Sequence, residues 1–135
     1  MRAVVCTTFD GIDALTCVDD APVPPMTENG VRIRVQAAGI NFADTLMCKG
    51  EYQVKPPFPF SPGLEVAGDV LEVAPGVTRV APGDRVMATV HYGGYASEAV
   101  THEPRSSPFP TIWISSPPPP FPSSTAPRMS AWSTS

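Results

Sequence analysis

Two stretches decide the fold, Gly39-Ile40-Asn41-Phe42-Ala43-Asp44 and Pro62-Gly63-Leu64-Glu65-Val66-Ala67-Gly68. The first follows residues 31–37, where apolar and polar side chains alternate as in a half-buried strand. Asn41 and Asp44 have the spacing of an N-cap residue and its acidic first-turn partner, which predicts a short helix over 42–49. The second stretch predicts a return to strand at Leu64. By itself, this pattern indicates only a capped helix on a β scaffold.

Short apolar runs separated by glycine and proline turns extend over the first hundred residues. They predict strands at 2–6, 15–18, 31–40 and 64–73, a turn and then a strand within 83–88, and a strand at 93–100 after a glycine turn. Many short strands with one short helix favour a mainly β fold built as a small barrel. The sequence therefore predicts one β domain over residues 1–103.

Composition excludes several classes of function. The 135 residues carry a formal net charge of −4, so no basic surface for nucleic acid is expected. No apolar run is long enough to cross a membrane, and residues 1–5 lead directly into a strand without a signal-peptide pattern. Cys6, Cys17 and Cys48 lack metal-site spacing and are interpreted as reduced, buried thiols of a cytoplasmic protein.

A longer set of motifs resembles one known family. Gly39-x-Asn41-Phe42-x-Asp44, then Tyr52, Pro56-Pro57-Phe58-Pro59 and Pro62-Gly63-x-Glu65-x-x-Gly68, resemble the catalytic-domain signature of the medium-chain dehydrogenase/reductases. The chain is similar to the zinc-independent quinone oxidoreductase branch of that superfamily, over residues 1–103. The resemblance implies a GroES-like, partly open β-barrel with one or two short helices. The Rossmann domain and its Gly-x-Gly-x-x-Gly fingerprint have no counterpart in this sequence.

The resemblance also bears on metal binding. Zinc-containing alcohol dehydrogenases of the superfamily carry a Cys-His pair where this chain has Asn41-Phe42, and a His-Glu pair where it has Leu64-Glu65. Asparagine and leucine are not zinc ligands. We therefore predict no metal, and we interpret Glu65 as a member of a structural ion pair.

Family resemblance assigns roles to several cleft residues. Tyr52 and Asp44 are the candidate catalytic residues, and Asn41 and Phe42 are the candidate cofactor contacts. Asn41, Tyr52 and Tyr92 are the candidate substrate contacts. Two alternatives stay open: that Asn41 and Asp44 only cap the helix, and that Tyr52 is only a packing aromatic. His91 and Tyr92 precede a glycine turn, and we interpret them as a surface turn, with a place in the cleft as the alternative.

The resemblance implies that full-length relatives transfer hydride from NADPH to a quinone or a similar small-molecule acceptor, and form homodimers through the cofactor domain. This chain is expected to carry only the acceptor-side domain and to be inactive alone. The alternative is a non-enzymatic β-barrel binding module whose tail docks a proline-binding partner.

Residues 104–135 have a different composition from the rest. Nine of the eighteen prolines lie there, with many serines, and Pro117-Pro118-Pro119-Pro120 forces a locally extended backbone. The sequence predicts an irregular proline- and serine-rich tail. Within it, Ile112-Trp113-Ile114 is unusually apolar for a linker.

The tail also resembles a coding sequence translated one nucleotide out of frame. Codons for residues 105–133 can be chosen so that a neighbouring frame encodes VFPIPDDMDFVTAAAFPVVYGTAHVGLV, which is typical of the segment after the barrel in this family. The second base of each hidden codon is the first base of a visible one, and Trp113, Met129 and Trp132 have single codons. We therefore predict a frameshift near Pro104 or Arg105 that truncates a longer protein. Sequencing the DNA across codons 103–107 and onward tests it.

Overall fold

The computed structural model describes residues 1–102 and 112–114. Its strands are β1 (Ala3–Val5), β2 (Thr16–Val18), β3 (Gly30–Gly39), β4 (Glu65–Val73), β5 (Arg85–Thr89), β6 (Glu98–His102) and β7 (Ile112–Ile114). One α-helix, α1 (Phe42–Cys48), follows β3, and a 3₁₀ turn covers Ile12–Ala14. None of the helices in these residues is long and apolar enough to cross a bilayer.

The strands form two antiparallel sheets. β1 pairs with β2, and the larger sheet has the order β6-β3-β4-β5-β7. The described strands do not close into a barrel. The prediction of a mainly β, GroES-like and partly open fold with one short helix is thereby confirmed.

β3 is central because its alternation gives it one apolar face. Val31 and Ile33 are fully buried, whereas the arginine between them is only partly covered. They join a core of small and branched apolar side chains from the other strands and from the loop after β4, which comprises Val66, Val70, Val80, Val86, Ala88, Ala99 and Ile112. Burying this apolar surface is the main stabilising contribution to the sheet.

A bulge between Val35 and Ala37 re-aims the end of β3 towards α1. Gly68 of β4 pairs with Val35 at this point, and a Cβ atom on Gly68 would lie only 1.8 Å from the carbonyl oxygen of Arg34. The close approach of the two backbones therefore requires glycine here.

A second, smaller core holds α1 in place. Met47 and Cys48 of α1 pack with Cys6 and Phe60, all of them almost fully buried. Backbone hydrogen bonds between Cys6 and Phe60, at 2.7 and 3.1 Å, fasten the loop before β4 to the end of β1. The start of α1 and the start of β4 are thus brought together, as the opening motif requires.

Three local predictions differ from the structure. Residues 93–97 were predicted as strand, but β6 begins only at Glu98, because the amides of Gly93, Gly94 and Tyr95 donate to Ser61, Gly63 and Pro62 instead. The prediction of a buried Cys17 was wrong, because β2 pairs only with β1 and leaves this side chain exposed.

The third difference lies in the tail, which was predicted to be irregular. Ile112–Ile114 forms β7 on the outer edge of β5, and Ile112 is fully buried. β-branched apolar residues suit an open sheet edge, which explains the pairing. The predicted domain boundary at residue 103, the polyproline segment and the proposed site of the frameshift lie outside the described residues.

Candidate functional site

A cleft of about 630 Å³ opens where the end of β3, the start of β4 and the ends of β5 and β6 converge. Two of the predicted site residues, Asn41 and Tyr52, line it together. Its other polar lining residues are Gln53, Glu65, Thr89, His91, Thr101 and His102. Leu64, Val54, Val90, Val100 and Ala43 supply the apolar wall. The cleft thus combines an apolar wall with many polar groups, whereas small-molecule sites are usually lined mainly by apolar side chains with a few polar ones.

Asn41 is the N-cap residue of α1, as its spacing predicted, and forms a capping box with Asp44. Within this box the backbone N–H of Asn41 donates to Asp44 Oδ2 at 2.8 Å, and the backbone N–H of Asp44 donates to the carbonyl oxygen of Asn41 at 3.0 Å. Nδ2 is buried and has no hydrogen-bond partner among the described residues. A buried donor without a partner is costly in free energy, so this amide would be stabilised by an acceptor at Nδ2.

Asp44 is not at the surface of the cleft. Its side chain is 4 % exposed, and three donors from separate segments surround its carboxylate. Asn41 N and the Tyr95 hydroxyl donate to Oδ2, each at 2.8 Å, and Gly63 N donates to Oδ1 at 3.2 Å. Through these contacts, Asp44 holds the start of α1, the loop before β4 and the loop before β6 together. Its predicted catalytic role stays a prediction.

Tyr95 is the residue that the sequence analysis missed. It lies in the loop before β6, 51 positions from Asp44 along the chain, so no local spacing could reveal their contact. Burial and the hydrogen bond to the Asp44 carboxylate raise the pKa of the Tyr95 hydroxyl well above its usual range, so it is protonated and a donor at neutral pH.

Glu65 begins β4 and faces the end of β3. A Cβ atom on Gly39 would lie 2.7 Å from its Oε2 atom, so the glycine of the opening motif leaves room for this carboxylate beside the cleft. Glu65 lines the cleft. The ion pairs among the described residues join Arg2 with Asp19 and Arg32 with Glu72 and Glu98, so its predicted ion-pair role receives no support there.

Phe42 and Tyr92 lie outside the set of residues that line the cleft. Phe42 is 77 % exposed at the first position of α1. Tyr92 is also exposed and makes an edge contact with the ring of Phe60, 6.3 Å between centroids. Phe42 could therefore contact a cofactor, and Tyr92 a substrate, only if that molecule extends beyond the cleft onto the exposed surface around these two rings.

The chain's two histidines both reach the cleft. The rings of His91 and His102 are 6.0 Å apart. His91 is exposed in the bend after β5, as in the predicted surface turn, and it also lines the cleft. Within residues 1–102 and 112–114, no three His, Cys, Asp or Glu side chains come together as a metal-binding group. The prediction of a metal-free site stays a prediction.

β6 and β5 are joined directly at the cleft. Thr101 is buried, and its hydroxyl donates to the carbonyl oxygen of Thr89 at 2.8 Å. This bond links the two strands at the cleft, where the strand ladder itself does not.

The sequence matches the alcohol dehydrogenase GroES-like domain family over residues 27–111. The chain belongs to this family, which the partly open β fold and the cleft at the start of α1 had indicated. It is 43 % identical over 102 residues to quinone oxidoreductase-like protein 2 of Rattus norvegicus, a match that covers 76 % of this chain and 28 % of that protein.

Solved structures agree with this assignment. A quinone oxidoreductase of Pseudomonas syringae pv. Tomato DC3000 superposes with a TM-score of 0.69 at 31 % identity, over 84 % of this chain and 33 % of the other. The mycobacterial protein Rv1454c complexed with NADPH superposes with a TM-score of 0.66 at 36 % identity, over 74 % and 31 %. The chain thus spans about a third or less of the length of these relatives.

Proposed function

We propose that this domain forms the acceptor side of an NADPH-dependent quinone oxidoreductase, in which a hydride passes from NADPH to a quinone or a related acceptor. The relatives named above support the class of reaction. The observation that carries the proposal is the cleft that Asn41 and Tyr52 line together, in which Asn41 has a buried Nδ2 atom without a hydrogen-bond partner among the described residues. A quinone is a flat apolar ring with carbonyl oxygens, and its oxygens accept hydrogen bonds.

The chemistry asks little of the protein beyond orientation and hydrogen bonding. When a quinone accepts a hydride, negative charge develops on its oxygen, and a fixed donor stabilises that charge. Asn41 Nδ2 is such a donor, and the hydroxyl of Tyr52 is a second donor in the same cleft. Quinones accept electrons readily, so we propose that these hydrogen bonds replace a zinc ion. Stoichiometric zinc in the purified chain would contradict the proposal that hydrogen bonds replace a zinc ion.

The described residues fit only one end of NADPH. Asn41 and the exposed ring of Phe42 suit contacts with the nicotinamide, and NADPH supplies the hydride when bound. Its pyrophosphate needs a glycine-rich turn at a helix N-terminus after a parallel strand. All strand pairs among the described residues are antiparallel, so they offer no such cradle.

We therefore propose that residues 1–135 have no reductase activity by themselves. Catalysis of hydride transfer depends on holding donor and acceptor in one geometry, which half a cleft cannot do. The assay is oxidation of NADPH by the purified chain in the presence of a quinone, with a full-length quinone oxidoreductase as positive control. We expect no rate above that of the enzyme-free mixture. A protein-dependent rate would contradict the inactivity but not the acceptor site.

The acceptor site is tested separately by binding. Anthraquinone-2-sulfonate is a suitable probe, because its fused rings leave no position for addition of the exposed Cys17 thiol. In an NMR titration of the 135-residue chain, we expect the side-chain amide signals of Asn41 to shift. Anthracene-2-sulfonate, which has the same shape and charge but no carbonyl oxygens, should bind more weakly.

The matched variant is Asn41→Ser, which keeps an N-cap oxygen and removes the Nδ2 donor. It should bind the quinone about three- to tenfold more weakly, the range for one hydrogen bond. Equal affinity of the variant and the parent, or equal affinity for the two probes, would contradict the proposed role of Asn41.

A cytoplasmic location is proposed with this function, on the basis of the reduced cysteines. The alternative of a proline-dependent docking module rests on residues 117–122, which lie outside the described residues, and no contact in the described part favours it.

A further inference from the structure

Asn41 does not hold its orientation alone. Its backbone N–H donates to Asp44 Oδ2 at 2.8 Å, and its carbonyl oxygen accepts from the backbone N–H of Asp44 at 3.0 Å. The Asp44 carboxylate therefore fixes the backbone at the N-cap of α1, from which the Asn41 side chain projects.

Two groups from distant segments hold the Asp44 carboxylate. Gly63 N donates to Oδ1 at 3.2 Å, and the Tyr95 hydroxyl donates at 2.8 Å to Oδ2, the same oxygen that Asn41 N uses. Since Asn41 N and Tyr95 share one oxygen, a movement of the carboxylate towards or away from Tyr95 also moves the N-cap of α1. The Tyr95 hydroxyl is thus two hydrogen bonds away from Asn41.

Tyr95 is itself fixed at the backbone. Its N–H donates to Pro62 at 2.9 Å, and its carbonyl oxygen accepts from Val4 at 2.8 Å. Its ring lies against Gly63, where a Cβ atom would come within 2.8 Å of the ring and of Gly94 Cα. Gly63 also has a φ of +101°, so the Pro62-Gly63 part of the opening motif is required for Tyr95 to reach Asp44.

We propose that Tyr95 is a positioning residue for the acceptor: its hydroxyl, through the Asp44 carboxylate, holds the Asn41 amide towards the quinone carbonyl. The proposal rests on the proposed function, because it assumes that Asn41 is the donor. It gives the buried Asp44 and Tyr95 pair a role in ligand recognition, although neither side chain lines the cleft.

A merely structural role for Tyr95 predicts a different result in a double-mutant cycle. The four proteins are the 135-residue chain, Tyr95→Phe, Asn41→Ser and the double variant, each titrated with anthraquinone-2-sulfonate. Tyr95→Phe keeps the ring that packs on Gly63 and removes only the hydroxyl. If the effect passes through Asn41, removing the hydroxyl matters only while the Asn41 amide is present.

We expect Tyr95→Phe to weaken quinone binding about two- to fivefold, less than the full loss of one hydrogen bond. In the Asn41→Ser background it should change the affinity no further. Ser97→Ala is the matched control, because Ser97 lies in the same loop and its hydroxyl donates at 2.9 Å to Arg2, away from Asp44. That variant should bind like the parent. Independent effects of the two substitutions, or parental affinity of Tyr95→Phe, would overturn the proposal.

A measurement without ligand separates this proposal from the proposed function. Tyr95→Phe should shift or broaden the side-chain amide signals of Asn41 in the free chain, whereas the amide signals of Asn29 should stay in place. Unchanged Asn41 signals would overturn the positioning role even if the quinone binds. If Asn41→Ser binds like the parent while Tyr95→Phe moves the Asn41 signals, the coupling stands and the assignment of Asn41 as the quinone donor fails.

Discussion

Cys48 and Cys6 lie in the small core beneath α1, and both are fully buried. Burial, with smaller contributions from Cys6 and Asp44, raises the pKa of the Cys48 thiol from 9.0 to about 11. The folded state therefore favours the neutral thiol more than the unfolded state does. The resulting stability is fully present below pH 9 and is lost as the pH rises towards 11.

This pH dependence gives a residue-scale prediction. Between pH 8 and pH 10, under reducing conditions, the free energy of unfolding of the chain should fall, and it should fall less steeply in Cys48→Ala. Urea titrations at several pH values measure the two slopes. Cys17→Ala should keep the slope of the parent, because Cys17 is exposed. Parallel slopes for parent and Cys48→Ala would contradict the raised pKa.

At the residue scale, the sequence predicted the contact between Asn41 and Asp44 but not the other partners of the Asp44 carboxylate. Asn41 and Asp44 are three positions apart, and helix geometry alone makes such residues neighbours. Tyr95 and Gly63 reach the same carboxylate only after the chain has folded. Likewise, nothing in the sequence indicated that His102 lines the cleft. It does so because the end of β6 lies beside the end of β5.

At the scale of elements, β7 is the feature that the sequence pattern did not predict. Ile112 is fully buried in the main core, whereas Ile114, two positions further along, is 47 % exposed. Without β7, the edge of β5 would expose its unpaired backbone groups and the apolar side chains beneath Ile112.

These two isoleucines provide a matched pair for a stability measurement. Ile112→Ala should lower the free energy of unfolding by about 2–4 kcal/mol, since it leaves a cavity in the core. Ile114→Ala should cost less than about 1 kcal/mol, because much of its side chain stays in water. Chemical denaturation of both variants tests this. Equal, small effects would mean that β7 does not belong to the folded domain.

At the scale of the whole molecule, the rim of the cleft is unusually apolar. Ile40 is 86 % exposed and Phe42 is 77 % exposed, and they flank Asn41 on either side. Large apolar side chains beside a site suit a surface that another domain covers. This agrees with a chain that spans 28 % of the rat relative, quinone oxidoreductase-like protein 2.

We therefore expect residues 1–135 to self-associate through this rim. Sedimentation at increasing concentration should reveal the association, and Ile40→Ser combined with Phe42→Ser should reduce it. Ile12→Ser combined with Val23→Ser is the control, because both side chains are exposed apolar groups away from the cleft lining. If the two double variants reduce self-association equally, the association depends on exposed apolar side chains in general and not on the rim of the cleft.

The sequence by itself determined the β scaffold, the helix that begins after Asn41 and the family. These depend on short-range patterns: alternation along a strand, a capping pair three residues apart, and glycine where two backbones meet. Only the tertiary structure decided the partners of Asp44, the membership of both histidines in the cleft and the place of β7. Such contacts join residues tens of positions apart, and their formation depends on sheet pairing and on burial that no local spacing encodes.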